Sequence, residues 1–99
     1  TSKGQMTATY RLAPKEALQY EVRLAYTPSR NRATNVPVTI SHAGGEALVM
    51  VNQKQQPAID KMFHSLGKFR FAQEALITIS NVNTDGYVVI DAVQLVPVP

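Results

Sequence analysis

Apolar and polar residues alternate along most of this 99-residue chain, as they do in β-strands with one buried face. The clearest case is residues 20–27, where Tyr20, Val22, Leu24 and Tyr26 alternate with polar side chains. Similar segments are residues 4–12, 36–42, 46–52, 63–72 and 75–80. Together with an apolar C-terminal segment, they predict seven or eight short strands, the number expected of a β-sandwich or jelly roll.

One segment fits two structures. Apolar side chains between residues 59 and 66 have the spacing of a short helix, whereas Phe69 and Phe71 alternate with charged residues. We favour a loop followed by a strand from about residue 63, with Gly67 at a bulge or a point of close backbone approach.

Glycine and proline divide the strands. Turns are predicted at residues 13–18, at 43–45 (Ala-Gly-Gly) and at 83–86 (Asn-Thr-Asp-Gly), where Gly86 would supply a positive φ. Pro37 predicts that its strand lies at a sheet edge or carries a bulge, because proline cannot donate to a ladder.

Residues 87–96 form the longest strongly β-prone run, with apolar side chains at both odd and even positions. This pattern predicts a central strand that is covered on both faces. Asp91 stands in its middle, and a buried carboxylate without a partner would be costly. We therefore expect a structural ion pair between Asp91 and Arg32, with Arg30 or the backbone amides of residues 30–35 as alternative partners. Such a contact would fasten the arginine-bearing loop to the core.

Length and composition fit one all-β domain over residues 1–99. The chain has no cysteine, and its charged residues make up only 17% of the sequence. It begins Thr-Ser-Lys-Gly, and we expect it to be a domain excised from a larger protein. The expected fold is a two-sheet antiparallel β-sandwich.

Several function classes find no support in the sequence. The net charge of +3 comes from scattered basic residues, and no run is as long as a membrane span, so neither nucleic-acid binding nor membrane insertion is expected. Ser65 lacks the pair of flanking glycines of a nucleophile elbow, because Phe63 stands where the first glycine would be, and no catalytic residue or cofactor is predicted. No metal site is predicted either, although carboxylates in the loops leave a structural calcium open.

Two polar loops are candidates for ligand binding, at residues 29–35 and 52–56. Their amides can donate to and accept from sugar hydroxyls, and their arginines can pair with carboxylates. The candidate ligand residues are Arg30, Asn31, Arg32, Asn35, Asn52, Gln53 and Gln55. The same residue types also build turns, so a structural role stays open.

A different candidate surface comes from Leu48 and Met50. Both lie at the alternate positions of their strand that point away from the core. They predict a face that docks on a neighbouring domain or self-associates.

Four segments together have a familiar order and spacing. They are Ser-Arg-Asn-Arg-Ala-Thr-Asn-Val-Pro-Val-Thr-Ile-Ser-His at 29–42, Val-Asn-Gln at 51–53, Ser-Leu-Gly-Lys-Phe-Arg-Phe at 65–71 and Thr-Asp-Gly-Tyr-Val-Val-Ile-Asp-Ala-Val-Gln at 84–94. The chain thereby resembles the golvesin C-terminal-like domain, also described as the xanthan-lyase carbohydrate-binding-like domain. Where members often carry a tryptophan before the Leu-Gly pair, this chain has Met62, Phe63 and His64.

The resemblance implies a jelly-roll sandwich of the galactose-binding-like type. It also implies a non-catalytic accessory module, attached to an exported bacterial enzyme such as a polysaccharide lyase or an FAD-dependent oxidoreductase. Its location would be periplasmic, cell-surface or extracellular. The implied partners are a polysaccharide or cell-surface glycan and a neighbouring domain of the parent protein. The alternative is a structural module that docks or self-associates without binding a glycan.

Overall fold

In a computed structural model, which describes residues 7–13, 19–71 and 74–98, the chain forms seven strands and no helix. The strands are β1 (Thr7–Leu12), β2 (Gln19–Ala25), β3 (Val36–His42), β4 (Gly45–Val51), β5 (Phe63–Arg70), β6 (Ala75–Ser80) and β7 (Ala92–Pro97). They make a four-stranded sheet in the order β1-β6-β3-β4 and a three-stranded sheet in the order β5-β2-β7. All pairings are antiparallel. The predicted β-sandwich is confirmed.

The alternating positions build the core. Val22 and Leu24 of β2 face Val38, Ile40 and other buried residues of the four-stranded sheet, and these four side chains have no exposed surface. Fully burying such a side chain stabilises the fold by roughly 1.5–3 kcal/mol. The predicted apolar face of residues 20–27 is confirmed, since Tyr20, Val22, Leu24 and Tyr26 are all buried. Within the described ranges the fold offers no apolar helix of membrane-spanning length.

The expectation from Pro37 is wrong, because β3 lies inside the four-stranded sheet between β6 and β4. The ladder between β3 and β6 covers residues 38–41 and begins one residue after Pro37. The proline therefore occupies the start of the strand, where it does not interrupt that ladder.

The prediction of a central strand over residues 87–96 is also wrong, both in where the strand begins and in its place in the sheet. β7 begins only at Ala92 and is an edge strand that pairs with β2. Residues 88–91 belong to neither sheet, although Val88 and Ile90 pack against the core. Asp91 is exposed rather than buried. The apolar residues at both odd and even positions thus belong to two consecutive segments, a loop that packs on the core and an edge strand.

Irregular backbone occurs near the predicted positions. The pairing of β2 with β5 shifts register between Val22 and Arg23, beside Gly67, so the predicted bulge is confirmed. Gly45 has a φ of 126° at the end of the tight β3–β4 hairpin. The helical alternative for residues 59–66 is not adopted, since Ile59 bridges to Phe63 around a turn. The predicted turn at 13–18 lies largely outside the described residues, as do residues 4–6 of the first strand.

Gly86 is needed for a different reason from the predicted one. The positive φ of its turn belongs to Asn83, at 61°. A Cβ on Gly86, however, would lie 2.7 Å from the carbonyl oxygen of Arg32. Close approach of two backbones therefore excludes a side chain at this position.

We predict that Gly86→Ala destabilises the fold by about 2 kcal/mol or more, because backbone atoms must move to admit the methyl group. The matched control is Gly44→Ala, whose Cβ would lie 3.3 Å from the movable ring of His42. Urea unfolding of both variants measures the difference. Equal losses of stability in the two variants would contradict the role assigned to Gly86.

Candidate functional site

Three polar loops meet at one end of the sandwich. The amide of Ala33 donates to the carbonyl oxygen of Tyr87 at 2.8 Å, and the amide of Tyr87 donates to the carbonyl oxygen of Asn31 at 2.8 Å. On the other side of the same loop, the amide of Gln53 donates to the carbonyl oxygen of Ala33 at 2.9 Å. The loop at residues 29–35 is therefore held between the loops that follow β4 and β6.

Gln53 is fully buried, with 0% of its surface exposed. Its Nε2 donates to the carbonyl oxygen of Val89 at 2.7 Å, and its Oε1 accepts from the amide of Val89 at 2.9 Å. The carboxamide thus binds both backbone groups of Val89, as a neighbouring strand would. Its predicted role in ligand binding is wrong, because both polar atoms are used inside the fold and no surface is left for a ligand.

A second set of bonds joins residues 34–35 to the turn after β6. The amide of Thr34 donates to Asp85 Oδ1 at 2.7 Å, and the Thr34 hydroxyl donates to Asp85 Oδ2. Asn35 accepts from the amide of Asp85 at 3.0 Å and donates to the carbonyl oxygen of Asn83 at 3.1 Å. Because both groups of the Asn35 amide are bonded to the turn, Asn35 is placed in the structural framework.

Arg32 and Asp91 do not form the predicted ion pair. Arg32 donates from Nε to the carbonyl oxygen of Thr27 at 3.1 Å and from Nη1 to the side chain of Asn31. Asp91 instead accepts from the hydroxyl of Thr27 at 3.1 Å. An exposed carboxylate stays hydrated, so it does not require the arginine that a buried one would.

The loop after β4 turns over a buried tyrosine. The Tyr26 hydroxyl donates to the carbonyl oxygens of Gln55 at 2.7 Å and of Asn52 at 3.3 Å, and burial raises the pKa of this phenol. The Asn52 side chain caps the turn by accepting from the amide of Lys54 at 3.0 Å. Gln55 takes part in this turn through its backbone carbonyl, and the residue is exposed.

Two cations are exposed at the loop end of the sandwich. Arg30 and Lys54 line an open groove of about 460 Å³ together with Pro28 and Ser29. The structure thus places Arg30, a predicted site residue, on the rim of a surface groove. Lys54 was missed, although it stands between two predicted residues, because only amides and arginines had been considered.

Comparison with known proteins identifies the family. The model of the golvesin C-terminal domain family matches residues 1–97 of this chain. The chain belongs to the golvesin C-terminal domain family. Within a xanthan lyase of Bacillus sp. (strain GL1), a segment is 34% identical over 101 residues, covering 97% of this chain and 10% of the lyase.

A solved structure gives the same result. The structure of Paenibacillus xanthan lyase at 2.6 Å resolution matches with a TM-score of 0.86 and 37% identity, over 94% of this chain and 9% of the lyase chain. The chain spans about a tenth of the length of both relatives.

Away from the loop end, the chain holds a charged group on the outer face of the three-stranded sheet. Glu21 accepts from Arg23 Nε and from the Ser65 hydroxyl, the latter at 3.1 Å. The hydrogen bond from Arg23 is the main cause that lowers the pKa of Glu21. Ser65 is therefore bonded to a carboxylate, and the ring of His42 packs on Phe69 with centroids 5.0 Å apart. Among the described residues, no three His, Asp or Glu side chains are grouped as metal ligands.

The hydrogen bonds from Thr34 lower the pKa of Asp85, so this carboxyl binds protons more weakly in the folded than in the unfolded chain. The stability it contributes is present above the ordinary pKa of about 4 and is lost as pH falls through the folded pKa. We expect Thr34→Val, which removes one of these bonds, to reduce the slope of the free energy of unfolding against pH in the acid range. Urea unfolding at a series of pH values measures it.

Thr34→Ser is the matched control for that substitution, because it keeps the hydroxyl and should preserve the slope. Glu21 also has a lowered pKa and leaves an acid-dependent component in every variant. An identical pH dependence for the Val and Ser variants would contradict the assigned contact.

Proposed function

We propose that this chain is a non-catalytic accessory domain of a longer, exported enzyme, and that it binds an anionic polysaccharide in the groove at Arg30 and Lys54. The single observation that carries the proposal is that these two cations line one open groove. Neighbouring domains of the enzyme would be its covalently attached partners.

Family membership supports the accessory role. A domain that makes up about a tenth of a xanthan lyase is a small part of a large enzyme. Ser65, the serine weighed as a nucleophile, donates its hydroxyl hydrogen bond to Glu21, and the ring of His42 packs on Phe69. If the parent protein acts on a polysaccharide, as these relatives do by name, its location would be outside the cytoplasm, where such polymers are encountered.

The chemistry of the groove favours an acidic ligand. A guanidinium binds a carboxylate through two parallel hydrogen bonds, and an ammonium adds a point charge. Pro28 contributes an apolar surface and Ser29 a hydroxyl, which suit the ring and the hydroxyl groups of a sugar. An open groove also suits a polymer that continues beyond the site at both ends.

We expect Arg30→Ala and Lys54→Ala each to weaken binding to an acidic polysaccharide such as xanthan by about tenfold, because each removes a charge-assisted contact. Binding should also weaken as salt rises from 50 to 500 mM. Affinity electrophoresis in gels that contain the polysaccharide measures both effects.

The control is Arg70→Ala, which removes an exposed arginine at the end of β5, away from the groove. This variant should bind like the wild type. An equal loss in all three variants would mean that general positive charge drives binding. Absence of wild-type binding to acidic and neutral polysaccharides would contradict the proposed function itself.

A further inference from the structure

Four strands lie at the edges of the two sheets, and three of them carry features that discourage pairing with another chain. β1 contains Arg11, which forms an ion pair with Glu74 at 2.8 Å. β5 has the bulge beside Gly67 and two cations, and β7 ends at Pro97. Charge, bulges and proline are the usual means by which proteins protect sheet edges.

The fourth edge strand, β4, has neither a bulge nor a proline, and its one charged residue is Glu46, next to its beginning. It pairs with β3 through seven consecutive residues without a shift in register, and within the described residues no strand lies on its other side. Its sequence, Gly-Glu-Ala-Leu-Val-Met-Val, has no proline or cation and a single charge. Its outward side chains include Leu48 and Met50, which are 64% and 53% exposed.

We propose that β4 pairs antiparallel with β4 of a second copy of this chain. A two-fold contact between identical edges is necessarily antiparallel when the axis is normal to the sheet. Only a register centred on Leu48 pairs all seven residues of the strand. The two four-stranded sheets then become one continuous sheet of eight strands.

The strand is self-complementary in this register. Leu48 lies opposite its own copy, so two apolar side chains meet on the outer face. Ala47 lies opposite Val49, and Glu46 lies opposite Met50, so the only charge never faces itself. Because directly opposite side chains interact most strongly, this register avoids the repulsion between like charges.

The interface is independent of the proposed polysaccharide groove, because Arg30 and Lys54 lie outside β4. Pairing of one seven-residue strand is small compared with a standard stable interface. The dimer is therefore expected at protein concentrations in the range of about 0.1–1 mM.

Sedimentation equilibrium of the 99-residue chain tests the pairing through two opposite charge substitutions at one exposed position. Met50→Lys places a cation opposite Glu46 of the second copy, twice per dimer, and should tighten the dimer about fivefold. Met50→Glu places two carboxylates there and should weaken it about fivefold or more. Thr9→Lys and Thr9→Glu, at an exposed position on β1, should change nothing.

Thermal melts of the variants establish that the fold is retained, as expected for substitutions at exposed positions. Opposite effects of Lys and Glu at position 50 support the pairing. A wild-type chain that stays monomeric to about 1 mM overturns it. Equal weakening by both substitutions would indicate non-specific association of Leu48 and Met50, and would overturn the antiparallel register.

Discussion

The buried carboxamide of Gln53 is the interaction on which the loop end of this sandwich depends. Residues 88–91 leave the sheet, and their backbone groups need partners in the interior. Gln53 supplies a donor and an acceptor to Val89 within one side chain, at 2.7 and 2.9 Å. Without it, packing of the partly buried Val88 and Ile90 against the core would leave the amide and the carbonyl oxygen of Val89 unbonded, at a cost of up to about 1–3 kcal/mol for each group that is buried.

The bonds around residues 29–35 extend this arrangement. The backbone of Ala33 is bonded to both neighbouring loops, and Asp85 accepts two hydrogen bonds from Thr34. Most of the polar side chains at this end are therefore occupied by the fold itself. The groups left for a ligand are those on the outside, and Arg30 and Lys54 are the cations among the residues that line the groove. A site of this kind is held in place by bonds that a ligand does not have to form.

Much of the fold follows from alternation, because burial of one strand face imposes a period of two on the sequence. β2 shows this directly, because the apolar residues predicted to point inward are the buried ones. The alternation of apolar and polar residues cannot distinguish a packed loop from a buried strand when apolar residues stand at both odd and even positions. For that reason the segment at 87–96 was interpreted as one central strand, although β7 begins only at Ala92.

The candidate site was harder to predict, because a side chain's partners depend on contacts between distant loops. Gln53 and Gln55 are the same residue type two positions apart, yet one is fully buried and the other exposed. Asn35 and Arg32 likewise bond within the fold. Residue type alone cannot separate these outcomes, whereas the three-dimensional arrangement of the loops does.

Amide hydrogen exchange at Val89, followed by NMR, tests the central role of Gln53 most directly. If the carboxamide holds this backbone, the Val89 amide should exchange as slowly as that of Val22 in β2, through global unfolding. Exchange of Val89 as fast as that of the exposed loop residue Arg30 would contradict this account of how the loop end is closed.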